Sequence, residues 1–434
     1  MKTSDRFVIH GGRKLSGEVE ISGAKNAVVA ILPATILCDE PCVIENVPDI
    51  SDVTITLQIL KELGAKVDCL GPHTYRVDAT SIKSCCVPYE SARKMRASYY
   101  FMGALLGKYG HARVSMPGGC PLGTRPIDQH EKAFRKLSAV CVTDRGMVDI
   151  TTPNGLIGDH IFFDVVTVGA TMNAILAAVK AKGLTVIENA AKEPHIVDLA
   201  SFLNSMGADI MGAGTDTIKI RGVDYLHGTE YAVIPDQIEA GTYMVAAAAT
   251  GGDVLIKNVI PKHLESIISV MEKIGVHIDQ YDDSVRVSVD GPLVKTSVKT
   301  RPHPGFPTDM QPQISALLCL AEGTSMIKEG VSEQRFQYVD ELRRMGADIQ
   351  VDGKVAVIEG TGKLSGAPVK ACDLRAGAAL MIAGLAASGV TYVEDIFHIE
   401  RGYADMEGKL RALGAEITKE YGTVSNAEQE ANVG

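Results

Sequence analysis

A short phrase recurs along the chain: Leu63-Gly64-Ala65, Met206-Gly207-Ala208, Ile274-Gly275-Val276, Met345-Gly346-Ala347 and Leu413-Gly414-Ala415. Successive glycines stand about 70 residues apart, except for one gap of about twice that. Leu137-Ser138-Ala139 fills the gap, with serine in the glycine's place. Each phrase follows a helical pattern such as Leu342-Arg343-Arg344 and precedes a strand such as Asp348-Ile349-Gln350-Val351. Glycine suits the left-handed turn that ends a helix and hands the chain to a strand. The chain is therefore one unit written six times.

A second phrase lies upstream in each unit: a small-residue helix, a turn, then a β-branched strand. Ala240-Gly241-Thr242-Tyr243-Met244-Val245 leads to Val254-Leu255-Ile256-Lys257-Asn258-Val259, and Val168-Gly169-Ala170-Thr171 leads to Val186-Ile187-Glu188-Asn189-Ala190. Hairpins close several units, as at Asp352-Gly353. Each unit reads strand, helix, strand, strand, helix. Helices so rich in Ala and Gly should lie inside, where their backbones can pack closely. Three units closing on themselves give a domain of about 200 residues, and two such domains fill 434 residues. The expected division is 22–233 for repeats one to three and 1–21 plus 234–425 for repeats four to six. The first strand, over 7–21, completes the second domain, and 426–434 is a polar, flexible tail.

A composition of 46% hydrophobic and 22% charged residues is that of a globular chain with ample core. The net charge of −10 argues against a nucleic-acid or anionic-membrane partner. The start lacks the apolar stretch of a signal peptide, and the run 376–390 is too short to span a bilayer. Nine cysteines without a CxxC pair point to free thiols in a reducing cytoplasm, with neither a disulfide scaffold nor a metal site.

Repeat two breaks the pattern. Where repeat one carries Val43-Ile44-Glu45-Asn46-Val47, it carries Val114-Ser115-Met116-Pro117-Gly118, followed by Gly119-Cys120-Pro121-Leu122-Gly123-Thr124-Arg125. One thiol thus stands on a loop of glycines and prolines, with a guanidinium five positions on. Departures from a local rule are where function is expected, and a thiol is chemically useful where it can be reached and its proton can move.

Gly23-Ala24-Lys25-Asn26-Ala27, Met95-Arg96-Ala97-Ser98, the Cys120 loop, Phe306-Pro307-Thr308-Asp309-Met310-Gln311 and Glu400-Arg401-Gly402-Tyr403 resemble the enolpyruvyl transferases, end to end and in order. The resemblance is closest to the branch whose acceptor is a nucleotide sugar. It implies an α/β fold of two inside-out barrels, each of three βαβαββ repeats. It also implies transfer of enolpyruvyl from phosphoenolpyruvate to the 3-hydroxyl of UDP-N-acetylglucosamine with release of phosphate, the first committed step toward bacterial peptidoglycan. By position, Cys120 matches the general acid and Asp309 the carboxylate that takes the hydroxyl proton. Lys25, Arg125 and Arg401 match the ligands of the small anion, with Arg96 and Arg375 as weaker members of the cluster. Arg125, Pro126, Ile127, Asp128 and Gln129 match the segment around the uracil. Thr167, Val168 and Gly169 match a helix start that faces the diphosphate, and Asn26 and Val331 match sugar contacts. No cofactor or metal is implied. Cations from repeats one, two and six converging on one anion lead us to expect closure of the domains on substrate. Val165, His195, Ser332 and Gln334 depart from the family's common residues near the diphosphate and sugar.

Blander readings stand beside these. Arg401 suits a cap for a helix over 404–413, and Asp309 suits the N-terminal turn of a helix over 310–321. His130 and His195 read as structural or rim residues, the Met and Tyr residues of repeats three and four as core, and the eight other cysteines as inert apolar residues. Two rival functions remain: transfer of enolpyruvyl to shikimate 3-phosphate, and a catalytically silent paralogue that binds a nucleotide sugar.

Overall fold

The structure, a computed structural model, describes residues 5–116 and 126–422. The Cys120 loop, Arg125 and the tail fall outside the described residues. All six phrase positions turn the chain the same way. Gly64, Gly207, Gly275, Gly346 and Gly414 have φ between 90° and 114°, and Ser138 has φ 70°. In each, the next residue's N–H reaches back to a carbonyl in the last helical turn, as Ala65 does to Leu60 and Ala139 to Phe134. This is the bonding that satisfies a helix's final carbonyls. A Cβ in this conformation costs about 1 kcal/mol. Ser138→Gly is therefore expected to stabilise the protein by about that amount, read as a rise in the thermal unfolding midpoint.

Six small-residue helices form the interiors: Lys25–Ala34, Tyr100–Tyr109, Val168–Ala178, Gln237–Ala249, Gln311–Leu318 and Leu374–Ala386. Their buried positions run almost all round; Gln311–Leu318 is buried throughout. A helix apolar on every side must sit inside. The second helix of each repeat is one-sided instead. Ser51–Leu63, for example, buries Val53, Leu57, Ile59, Leu60 and Leu63 and exposes its other face.

Outside the helices lie the sheets. In repeat five the order is strand Ser297–Lys299, the inner helix, strand Gly323–Lys328, helix Val339–Arg344, then hairpin strands Asp348–Asp352 and Val355–Gly360. This order has one strand more than the periodicity predicts, because a three-residue edge strand is too short to show alternation. Five sheets have four strands, with the central strand flanked by a parallel edge strand and an antiparallel neighbour. Among the described residues repeat two has three strands, and its parallel edge there is a single bridge between Cys86 and Arg113.

The expected single strand over 7–21 is two strands. Arg6–His10 inserts antiparallel between Val390–Glu394 and Glu416–Glu420, supplying the hairpin strand that repeat six lacks. Ser16–Glu20 pairs in parallel with Asp253–Lys257 of repeat four. The break follows from Gly11 and Gly12: a Cβ on Gly11 would lie 2.1 Å from the Ala387 carbonyl oxygen, and Gly12 has φ 88°.

Backbone contacts divide the chain into two compact units. One comprises the described residues of Met1–Ile21, Gln237–Arg301 and Gly305–Gly434; the other comprises Ser22–Asp236 with Pro302–Pro304. Tyr243, Met244, Met206 and Met271 are buried as core residues should be, but Met211, Tyr225 and Tyr281 are exposed, contrary to the core reading. Among the other cysteines, Cys38, Cys42 and Cys319 are buried, but Cys69 and Cys86 are exposed, contrary to the apolar reading. Both stand at the outer sheets, where a side chain has solvent on one side.

Candidate active site

In the unit of repeats one to three, the helix start at Lys25 is set by its glycine. Gly23 bridges to Pro235, and a Cβ on it would lie 1.7 Å from the Asn46 carbonyl oxygen. Lys25 donates its backbone N–H to Asp236 Oδ2 at 3.0 Å, and its Nζ pairs with Asp52 Oδ2 at 3.1 Å. Asp52 is 1% exposed, on the buried face of Ser51–Leu63. A buried carboxylate aligned on one ammonium fixes where that charge sits. Asn26, next along the helix, is half-buried.

Arg96 opens the short turn Arg96–Tyr99, its guanidinium 5.9 Å from the Tyr99 ring centre. Tyr99 meets the His130 ring edge-on at 5.1 Å. Asn173 Nδ2 donates to His130 Nδ1 (2.9 Å) and to the Tyr99 carbonyl (3.1 Å). Accepting at Nδ1 leaves the neutral ring's proton on Nε2. Burial first, and the nearby Arg96 charge second, push the His130 pKa down to about 4. An unfolded histidine takes up its proton near pH 6.5. The stability this neutral ring contributes is thus present above that pH and is lost as pH falls through about 4. The stability difference between the wild-type protein and His130→Gln should shrink over that interval, as measured by denaturant unfolding at a series of pH values.

Gly169 is what brings this cluster to the helix Val168–Ala178. A Cβ there would lie 3.0 Å from Tyr99 Oη and 3.1 Å from His130 Nε2. Thr167 precedes the helix in extended conformation and makes no side-chain cap; the first-turn N–H groups of a helix suit an anion. Ile127 is buried, while Pro126 and Asp128 are exposed. Gln129 is locked by bonds to Asp128 Oδ2 (2.8 Å) and Asp164 Oδ2 (3.1 Å), and it accepts from the Asp164 N–H. His130 and His195 are both buried.

In the other unit, Asp309 lies in the short turn Thr308–Met310 ahead of Gln311–Leu318. It stands as the acidic residue of that first turn, as the helix-start reading expects, and its carboxylate also holds two arginines. Arg335 Nη2 donates to Oδ1 at 3.2 Å; Arg375 donates to Oδ2 through Nε (3.2 Å) and Nη2 (3.1 Å). Both arginines are buried, while the Asp309 side chain remains 31% exposed. Arg375 also lies 5.4 Å over the Tyr403 ring, and the Tyr403 hydroxyl is bonded to Thr242 at 2.8 Å. Arg335 additionally donates to the Thr308 carbonyl.

Thr308 Oγ1 donates to Glu329, which also accepts from the N–H groups of Val331 and Ser332. Val331 is exposed. Arg401 follows the helix Phe397–Glu400 at its C-terminal end and does not cap the next helix, which is Met406–Ala412 with Asp405 as its cap. The left-handed Asp405 separates the two helices.

Asp309 and Arg375 are thus brought together. Arg96 and Gly169 are linked through Tyr99 and His130. Sequence reasoning missed Asp52, Arg335 and Glu329. Asp52 left a signal, as an acid on the apolar stripe of an amphipathic helix; Arg335 left none. Among the described residues no cluster of three or more His, Cys, Asp or Glu is placed to hold a metal ion. No helix among them is long and apolar enough to cross a membrane.

The family profile described as EPSP synthase (3-phosphoshikimate 1-carboxyvinyltransferase) matches residues 9–410. A relative named UDP-N-acetylglucosamine 1-carboxyvinyltransferase 3, from Caldanaerobacter subterraneus subsp. tengcongensis, is 58% identical over 415 residues, covering 96% of this chain and 99% of its own. One named UDP-N-acetylglucosamine 1-carboxyvinyltransferase 2, from Geobacillus kaustophilus, is 49% identical over 428 residues, covering 99% and 100%. Among solved structures, the enolpyruvyl transferase NikO from Streptomyces tendae superposes with a TM-score of 0.87 at 28% identity, covering 97% of this chain and 100% of its own. EPSP synthase from Acinetobacter baumannii, with a TM-score of 0.75 at 20% identity over 96% and 100%, shares the fold. With the profile matched almost throughout and full-length relatives at 49% and 58% identity, the chain belongs to the EPSP synthase family of enolpyruvyl transferases, alongside the UDP-N-acetylglucosamine 1-carboxyvinyltransferases.

Proposed function

We propose that this chain is the enzyme that transfers the enolpyruvyl group of phosphoenolpyruvate to the 3-hydroxyl of UDP-N-acetylglucosamine, releasing phosphate, at the entry to peptidoglycan synthesis. The observation that carries the reading is 58% identity, over 96% of the chain, to a relative of that name. We further infer a cytoplasmic enzyme, the reading that fits its free thiols.

The reaction is an addition followed by an elimination. The sugar oxygen bonds to C2 of phosphoenolpyruvate while C3 gains a proton and becomes a methyl group. Loss of a proton from C3 then restores the double bond as the C2–O bond to phosphate breaks. Asp309 takes the hydroxyl proton, its position held by Arg335 and Arg375. Cys120 supplies the proton to C3. Lys25, Arg125 and Arg401 hold the phosphate and carboxylate of phosphoenolpyruvate, with Arg96 and Arg375 adding to the positive field. The diphosphate of the nucleotide meets the first-turn N–H groups at Thr167, Val168 and Gly169. The segment 125–129 borders the uracil, and Asn26 and Val331 contact the sugar.

The test is release of phosphate from phosphoenolpyruvate by the purified protein with each of two acceptors. Release dependent on UDP-N-acetylglucosamine supports the reading; release with shikimate 3-phosphate instead, or with neither, overturns it. A small phosphonate epoxide should alkylate Cys120, faster with nucleotide sugar bound. Peptide mapping that finds the label spread over the exposed Cys69 and Cys86 would remove Cys120 from its role.

A further inference from the structure

A periodic device of three repeats takes another form in repeat five, beside Asp309. In four repeats the residue that follows the central strand has a left-handed backbone: Asn46 (φ 54°), Asn189 (55°), Asn258 (56°) and Asp395 (57°). The three asparagines donate Nδ2 to the carbonyl that follows the parallel edge strand, at Val233 (2.8 Å), Phe163 (2.8 Å) and Ile21 (2.7 Å). Each side chain thereby staples two strand ends together.

Repeat five has Glu329 at this position, after the strand Gly323–Lys328, and its φ is not positive. The donor of the other repeats has become an acceptor. Oε1 receives Thr300 Oγ1 (2.7 Å) and the N–H groups of Val331 and Ser332 (both 2.8 Å), while Oε2 receives Thr308 Oγ1 (3.0 Å). Glu329 is 2% exposed, so it does not meet substrate through solvent. Thr300 is the residue that follows the edge strand Ser297–Lys299, so the staple survives with its polarity reversed. The reversal adds two further attachments. One is to Thr308, the neighbour of Asp309; the other is to the turn that presents Val331.

We propose that Glu329 is a positioning residue for the transfer, fixing Asp309 and the Val331 turn at one separation through bonds to Thr308 and to the Val331 and Ser332 N–H groups. The inference rests on the reading of Asp309 as base and Val331 as sugar contact. A strand staple alone needs an asparagine, as repeats one, three and four show; a carboxylate can gather four donors at once. A displacement of about 1 Å at a reacting group costs on the order of 100-fold in rate.

The experiment compares Glu329→Ala, Glu329→Gln and Thr308→Val at saturating phosphoenolpyruvate, measuring kcat and KM for UDP-N-acetylglucosamine beside the thermal midpoint. Glu329→Ala should lower kcat about 30-fold to 100-fold and raise KM for the nucleotide sugar. Glu329→Gln should rescue most of the loss, because its amide oxygen can keep the three bonds at Oε1 while its amide nitrogen donates to Thr308 Oγ1. Thr308→Val, which cuts only the link toward Asp309, should lower kcat with KM unchanged; it remains informative if Glu329→Ala fails to fold. A folded Glu329→Ala or Thr308→Val with kcat within twofold of the wild type overturns the proposal. So does a Glu329→Gln as impaired as Glu329→Ala, because the bonds would then not be what matters. Full turnover in Asp309→Asn would instead sink the reading of the base itself.

Discussion

Asparagine in place of Asp309 should reduce turnover by about 10³-fold, in the range measured for removal of a general base. The substitution keeps the size of the side chain and one oxygen, so the turn Thr308–Met310 has no steric reason to move. What it removes is the group able to accept the proton of the sugar hydroxyl, along with the negative charge facing Arg335 and Arg375. Both guanidiniums are nearly fully buried, at 2% and 3% side-chain exposure, and would face a neutral amide. Leaving buried charges without their counter-charge is destabilising, though the 31% exposure of Asp309 admits water to moderate it. A lower thermal midpoint should therefore accompany the loss of rate. Phosphate release at saturating concentrations of both substrates separates the two effects, since a folded but slow enzyme keeps its nucleotide-sugar binding. A rate within tenfold of the wild type would assign the base elsewhere.

The repeats were legible because a helix-ending turn leaves a local mark. The Leu-Gly-Ala phrase reports a backbone conformation that few residues adopt, and even Ser138 follows it. Burial of the small-residue helices was legible for a similar reason: composition alone excludes a solvent-facing side. Pairing between distant segments was not. Nothing in residues 6–10 says that their partners are 390–394 and 416–420, and the short edge strands have too few residues to alternate. At the site, residues inside family motifs could be named from the sequence, Arg375 among them, while the partners Asp52 and Arg335 were not. Arg335 lies in Gln334-Arg335-Phe336, where no local pattern marks it as a partner of Asp309. Glu329 was open to discovery by lining up the strand ends, where Asn46, Asn189 and Asn258 set the rule it breaks.

Alanine at Gly103 should destabilise the protein by about 3 kcal/mol, at the upper end for overpacking a core. Gly103 lies inside Tyr100–Tyr109, the inner helix of repeat two, against the inner helix of repeat three. A Cβ there would lie 2.6 Å from the Asn173 carbonyl oxygen, 2.7 Å from Asn173 Oδ1 and 3.0 Å from Leu176 Cβ. The nearest of these is backbone, so no rotamer change relieves it. The Gly103 N–H also donates to Asn173 Oδ1 at 2.9 Å, while Asn173 Nδ2 holds the Tyr99 carbonyl and His130. One added methyl group therefore pushes on the amide that orients His130, and through it on the start of Val168–Ala178. Two consequences should appear together: a lower unfolding midpoint, and a higher KM for the nucleotide sugar with kcat less affected. Adding Asn173→Ala should not restore stability, because the clash with the carbonyl oxygen persists and the amide's bonds are lost as well. A Gly103→Ala protein with the wild-type midpoint would show that the two helices can separate freely, and the rigid helix start invoked for the diphosphate would lose its support.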